Sequence, residues 1–325
     1  MVSNINTTKV GSLKKNELYR KDLELDLLYK YIMENISTDG LSLEEISVLK
    51  GYINKEFLNF NFNIQKVIKT DIISHMVIPL VSNCNLNCRY CDAYAPLCKT
   101  DTYMNSNSGI LSDVKRLKDL GFKIKEISLE GGEPFLYKDI LALCRDLRSM
   151  LPLEPIIILT NGTLLNTLDK SYWECFSEYK ISIIIDNYFQ DTDYSDITRI
   201  CKDLGIHCEV HNSYSKEGFF YKAPIDINSK EDSTEHYLLC EKGHRCITLL
   251  KGKLCICGRE AYIENFNNFF NTNLPTDSID IYDNDKQAII NKMASPSRLC
   301  KYCCYYEDTK SNWSPSNKDI QEWAK

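Results

Sequence analysis

The sequence lacks most of the features that would take it out of the ordinary soluble class. No stretch approaches the roughly 18 consecutive apolar residues of a membrane-spanning helix, and runs such as residues 156–159 have the length of a buried strand. Residues 1–20 are polar and charged, without the apolar segment of about 7–15 residues that an export signal needs. Positive charge is not in excess. Against 39 Lys and Arg stand 45 Asp and Glu, for a formal net charge of -6 with no long basic run. A phosphate backbone would be repelled more than held, so nucleic acid is excluded as an expected partner. No membrane association and a cytoplasmic location are the corresponding expectations.

Cysteine is what the sequence has in quantity, fifteen in 325 residues. In a reducing compartment clustered cysteines point to metal binding or catalysis rather than to disulfides. Cys144, Cys175 and Cys201 stand alone in apolar, helix-like surroundings, where a thiol acts as a small hydrophobe. The others gather near residue 88 and between residues 240 and 304.

Three regions follow from the patterning. Residues 1–70 read as a helical extension: Leu18, Leu25, Leu28 and Ile32 recur at helical intervals, and Ser42 with Glu45 forms a capping box for a second helix. Residues 71–230 alternate short apolar strands (75–81, 124–129, 155–160, 180–185, 206–210, with a sixth near 218–225) with amphipathic helices (109–120, 138–150, 165–177, 195–204). Gly121 and Gly205 are placed to end helices. Such alternation argues for a parallel sheet with right-handed crossovers, whose reactive groups collect at the C-terminal ends of the strands. Cys84, Gly131-Gly132-Glu133, Asn161-Gly162 and Asp186-Asn187 all fall there. Residues 231–325 form a separate Cys-rich region.

The first cluster reads Cys84-Asn-Leu-Asn-Cys88-Arg-Tyr90-Cys91, a C-x3-C-x2-C spacing just after a strand. Three thiolates on one loop can hold three irons of a 4Fe–4S cluster and leave the fourth with an open position, as a catalytic metal site does. Cys98 is the nearest spare thiol and reads as structural. On spacing alone a zinc knuckle or a redox dithiol stays open, although zinc sites usually close with four ligands and a dithiol needs two.

Cys84-x3-Cys88-x2-Cys91 with Tyr90, followed by Glu130-Gly131-Gly132-Glu133-Pro134 at the end of the second strand, closely resembles the paired motifs of radical S-adenosylmethionine (SAM) enzymes. The resemblance covers about residues 75–225 and implies an α/β fold, a partial (β/α)6 barrel. It also implies a SAM-binding 4Fe–4S cluster, with SAM contacts at Tyr90, Gly131, Gly132, Glu133, Asn161 and Asp186. Thr160 and Asn187 lie beside the last two. Glycines would let backbone carbonyls approach the SAM amine, with Glu133 complementing its charge. Where many relatives have Ser-x-Asp, this chain has Ile184-Ile185-Asp186.

Residues 246–257 (CITLLKGKLCIC) read as a hairpin turning at Lys251-Gly252, which sets Cys246 opposite Cys257. Cys300 and Cys303 add a second pair, and two such pairs would equally make a zinc ribbon. Behind a radical SAM barrel the arrangement resembles a Twitch domain, a shortened SPASM domain, which implies one auxiliary 4Fe–4S cluster. Cys240, Cys246, Cys257, Cys300 and Cys303 are then five candidates for four positions. The hairpin favours Cys246 and the family spacing favours Cys240. Cys255 and Cys304 rank below them.

The resemblance implies reductive cleavage of SAM to a 5′-deoxyadenosyl radical and removal of a hydrogen atom from a substrate. The implied electron donor is one such as flavodoxin or ferredoxin. The expected substrate is a small, sugar-like molecule undergoing dehydrogenation, epimerisation or dehydration. Modification of a ribosomal peptide is the alternative, and residues 1–70 do not read as the strand-rich leader-binding module of many peptide modifiers. A non-catalytic iron–sulfur or zinc protein would explain the cysteines but not Gly131-Gly132-Glu133. No general acid or base can be assigned among Glu130, Asp92, Asp101, His75 and His211.

Overall fold

The computed structural model describes residues 71–98, 104–212, 220–222, 224–230, 233–240, 246–304 and 309–325. The helices expected over residues 13–66, and Asp101, lie outside these. Residues Thr70–Lys325 form one compact unit. Its elements in chain order are β1 (Ile72–Ile73), β2 (Met76–Val81), α1 (Asn107–Asp119), β3 (Lys123–Ile124), β4 (Ile127–Gly131), α2 (Ile140–Met150), β5 (Ile156–Thr160), α3 (Lys170–Glu178), β6 (Ile181–Asn187), α4 (Ser195–Asp203) and β7 (Cys208–Asn212). There follow β8 (Phe220–Lys222), α5 (Ser233–Leu239), β9 (Ile247–Leu250), β10 (Lys253–Cys255), α6 (Gly258–Phe270), β11 (Ile279–Asp280), α7 (Lys286–Met293) and β12 (Thr309–Ser311).

Side-chain alternation decides which face of the sheet is covered. Ile127 and Leu129 of β4, Ile156 and Ile158 of β5, and Ile181, Ile183 and Ile185 of β6 join Leu117, Leu143, Leu147, Phe176 and Ile197 of the helices in one buried core. Each such side chain contributes about 1.5–3 kcal/mol on burial. The alternate residues, Ser128 and Glu130 of β4 and Ser182, Ile184 and Asp186 of β6, point to the opposite, inner face. Cys144 and Cys201 lie in the core and Cys175 packs on it, as expected of small hydrophobes. Gly121 and Gly205 follow α1 and α4 at φ 81° and 68°, the left-handed geometry that ends a helix.

The strand order is β11-β10-β9-β2-β4-β5-β6-β7. β2, β4, β5, β6 and β7 run parallel in that order, giving the expected α/β half-barrel. Two expectations are corrected. The strand placed at 124–129 is two pieces, because β3 pairs with β1 in a sheet of its own. The strand near 218–225 exists as β8 but pairs antiparallel with β12, apart from the barrel. The sixth parallel strand is β9, on the far edge beside β2. It arrives with its hairpin partner β10, whose turn residues Lys251 and Gly252 take φ 49° and 72°. Two positive φ values suit the tight turn whose twist matches paired strands.

A second core joins the segment after Cys91 to the C-terminal region: Tyr94 and Leu97 pack with Tyr262, Ile263, Phe266, Leu299 and Trp323. Among the described residues no helix is long and apolar enough to cross a membrane.

Candidate functional site

Residues 82–98 leave the end of β2 as a loop, and the end of β4 fixes where it starts. Gly132 N donates to Val81 O at 2.8 Å and Glu133 N to Asn83 O at 3.0 Å. A β-carbon on Gly132 would lie 1.9 Å from the Asn83 oxygen, and one on Gly131, at φ 152°, 2.4 Å from the Val81 oxygen. The two glycines therefore let one backbone lie against another, a reason different from the expected approach to a ligand amine.

Glu133 also has local work. It is fully buried; Oε1 accepts from Thr160 Oγ1 at 2.8 Å and Phe135 N at 3.2 Å, and Oε2 from Asn161 N at 3.0 Å. Burial raises its pKa, and these three donors oppose the shift. Its carboxylate is thus committed to the end of β5. Asn161 passes the connection on, donating through Nδ2 to Asn85 Oδ1 at 2.9 Å and to Cys84 Sγ at 3.5 Å. Three of the four strand-end sets are linked in one network, namely the glycine pair with Glu133, Asn161 and Cys84, whereas Asp186 and Asn187 pair with β7.

The three thiols share one environment. Burial pushes Cys84 up to about 12, aided by the charges of Glu133 and Cys88 and opposed by Leu86 N and Asn161. Burial likewise raises Cys88 and Cys91, and the charges of Cys88 and Cys84 add to the shift at Cys91. Partly buried thiols within electrostatic reach of one another ionise when a cation takes the place of their protons. The donor set suits an iron–sulfur cluster.

Sequence reasoning missed the C-terminal tail. Trp313 Nε1 donates to Cys88 Sγ at 3.1 Å and Trp323 Nε1 to Cys91 O at 3.0 Å. Arg89 N reaches Ser314 O at 2.9 Å, and Ser316 N reaches Asn87 O at 2.7 Å. No periodicity or spacing marks residues 312–323 for this task. Tyr90 takes a left-handed φ of 64°, and the Arg89 guanidinium lies 4.7 Å from the centre of its ring.

The inner face below this loop carries several polar groups among apolar ones such as Ile184. His75 Nε2 and Ser128 Oγ stand 2.6 Å apart, and His211 Nδ1 lies 3.5 Å from Asp186 Oδ1. Burial, then the Asp186 charge, raises Glu130 to about 7 against the opposing hydrogen bond of Ser128. Asp186 is raised by burial, with His211 and Tyr188 opposing. Tyr262 Oη is buried with no hydrogen-bond partner, within electrostatic reach of Glu130 and Cys91. Thr160 Oγ1 accepts from Gly162 N at 3.0 Å within the turn after β5, and Asn187 Nδ2 donates to Asn212 Oδ1 at 3.2 Å, tying the ends of β6 and β7.

In the C-terminal region the β9–β10 ladder ends at the pair Cys255–Thr248. Cys257 turns away as the N-cap of α6, while Cys246 Sγ lies 3.6 Å from His75 Nδ1. The expected facing of Cys246 and Cys257 is corrected: α6 starts too early to let the ladder reach them. Cys257, raised by burial, feels the charges of Cys300 and Cys303, and Cys300, pushed by burial up to about 12, feels Cys303 and Cys240. Cys300 thus lies within electrostatic reach of Cys240, Cys257 and Cys303. Among the described residues no three His, Cys, Asp or Glu side chains are gathered for a single metal ion. Thiolates that each bind a different iron of a cluster need not converge on one point. Cys98 donates to Ser82 O at 3.2 Å, and Cys255 and Cys304 are buried.

Residues 78–205 match the model of the Radical SAM superfamily. The chain is similar to GTP 3′,8-cyclase of Moorella thermoacetica, 32% identical over 135 residues, 39% of this chain and 38% of that protein. It is similar to the probable GTP 3′,8-cyclase of Methanocaldococcus jannaschii, 26% identical over 165 residues, 49% of this chain and 52% of that protein. The matches thus span about two fifths to one half of these relatives. Among solved structures, BtrN in complex with AdoMet and 2-DOIA aligns with a TM-score of 0.45 at 19% identity, over 71% of this chain and 92% of that one. Streptococcus suis SuiB bound to precursor peptide SuiA aligns with a TM-score of 0.41 at 13% identity, over 89% and 83%.

Proposed function

Proceeding from a chain that carries a radical SAM domain, we propose that it cleaves SAM reductively and removes a hydrogen atom from a small polar substrate held on the inner face of its half-barrel. One observation carries the reading: Cys84, Cys88 and Cys91 sit on one loop at the end of β2, tied to the Gly131-Gly132-Glu133 turn and Asn161. In this reading the three cysteines would hold a 4Fe–4S cluster with one open iron, which supplies an electron to the sulfonium of SAM and so generates a 5′-deoxyadenosyl radical.

The chain's own residues supply orientation. Glu133 sets Asn161, Asn161 sets Cys84, and Trp313 caps Cys88 and shields the loop. Tyr90 and Asp186 remain the residues for SAM, and the backbone at Gly131 and Gly132 borders the same space. The inner face supports a polar substrate. Ser128, Glu130, Asp186 and His211 line it, and the unpaired Tyr262 hydroxyl costs about 1–3 kcal/mol until a ligand meets it. A sugar-like molecule undergoing dehydrogenation, epimerisation or dehydration fits these groups. The relatives named GTP 3′,8-cyclase likewise carry a small molecule in their name.

Cys240, Cys257, Cys300 and Cys303 would hold an auxiliary 4Fe–4S cluster, in a Twitch-like region, with Cys246 set aside beside His75. No disulfide joins any of the fifteen cysteines, which agrees with a reducing, cytoplasmic setting; in this reading the electron donor is one such as flavodoxin or ferredoxin.

The test is anaerobic reconstitution followed by reduction in the presence of SAM. Cys88→Ala should abolish formation of 5′-deoxyadenosine, and an undiminished yield would overturn the assignment. Transfer of deuterium from a labelled small molecule into 5′-deoxyadenosine would identify the substrate.

A further inference from the structure

Arg259 lies in the first turn of α6, two residues after Cys257. A cation there opposes the helix dipole and, with its side chain 10% exposed, loses most of its hydration. Both costs are met by named groups. Nε and Nη2 donate to Asp92 Oδ1 at 3.1 and 2.9 Å, and Nη1 donates to Cys303 Sγ at 3.3 Å. Asp92 follows Cys91 directly, so a single guanidinium spans from one cysteine group to the other. The surroundings hold this fork in place: Tyr94 packs on Phe266 with ring centres 5.5 Å apart, and Asn265 Nδ2 donates to Ala93 O at 3.3 Å. A neutral thiol is a weak acceptor for such a donor, whereas a metal-bound sulfur carries the negative charge that matches it.

We propose that Arg259 sets the one-electron reduction potential of the cluster held by Cys240, Cys257, Cys300 and Cys303, raising it through the bond to Cys303 Sγ, and that Asp92 moderates it. The proposal rests on the auxiliary-cluster reading above. An added electron makes a cluster more negative, so a fixed cation and an N–H donor at a ligating sulfur stabilise the reduced form. The Asp92 carboxylate orients the guanidinium and offsets part of its charge. Arg259 is a positioning and tuning residue that touches no substrate.

The experiment titrates both clusters of the full reconstituted chain in a spectroelectrochemical cell, followed by electron paramagnetic resonance. R259Q should make the auxiliary cluster harder to reduce by tenfold or more, equivalent to about 59 mV for a one-electron couple. R259K, which keeps the charge and loses the fork, should recover part of that shift. D92N should move the potential the opposite way. Opposite signs for R259Q and D92N support the proposal, since general loosening of the region would move both alike. If R259Q does not load, the opposite signs of R259K and D92N decide the matter. An auxiliary potential equal to wild type in R259Q, or one direction of shift for all variants, overturns the proposal while leaving the second cluster intact. A wild-type chain that loads one cluster only overturns the auxiliary-cluster reading as well.

Discussion

The two cysteine groups are built in opposite ways. Cys84, Cys88 and Cys91 come from one loop, pinned by hydrogen bonds from the ends of β4 and β5. Cys240, Cys257, Cys300 and Cys303 come from the end of α5, the N-cap of α6 and a short helical turn at Arg298–Tyr302. A local site is fixed by the strand that precedes it, and an assembled site by everything that packs between its parts.

Substitutions can break or sharpen this contrast. The largest effect is expected from Gly132→Ala, because the new β-carbon would meet the Asn83 carbonyl oxygen at 1.9 Å, a backbone atom that cannot swing aside. A loss of about 3 kcal/mol or more in denaturant unfolding, with loss of iron at the first site, is the expected outcome. Wild-type stability would refute the close backbone contact. Next, replacing Cys300 and Cys303 together by Ala should remove roughly half of the bound iron while 5′-deoxyadenosine formation stays measurable. Collapse of both signals would show that the two groups are one structural unit.

Glu130→Gln tests the inner face through pH. The Glu130 carboxyl is raised from 4.5 to about 7, so its protonated form favours the fold. That contribution is complete below pH 4.5 and is lost as pH rises through 7. The variant should therefore match wild type at pH 4.5 and exceed it by about 1–3 kcal/mol at pH 8. Equal stability at both pH values would remove the buried carboxyl from the account. The smallest effect is expected for Trp313→Phe, which deletes one N–H to Cys88 Sγ at a cost of about 1 kcal/mol. It should also lower the potential of the first cluster and leave the second unchanged.

Much of the first region was legible in the sequence because local rules govern it. Strand and helix periods, the glycines at 121 and 205, and the order of strand-end residues each depend on near neighbours. The second region was legible only in part. The Lys251-Gly252 turn follows from two residues, but β9 joining β2 depends on a strand far away along the chain. The hairpin register is the expected one, but its ladder stops at Cys255–Thr248 because α6 begins directly after Cys257. Glu133 and Asn161 were recognisable as strand-end residues and Asp92 was not, yet what each touches is a property of packing. The two tryptophans of the tail carried no signal at all.

The tail has a bearing on biogenesis. Trp313 and Trp323 lie 225 and 232 residues beyond the cysteines they serve. Ribosomes deliver about 5–20 residues per second, so the loop at Cys84–Cys91 waits on the order of ten seconds or more, uncovered, for its cap to be translated. Its thiols must be kept from oxidation over that interval, and truncation before residue 313 would remove both hydrogen bonds.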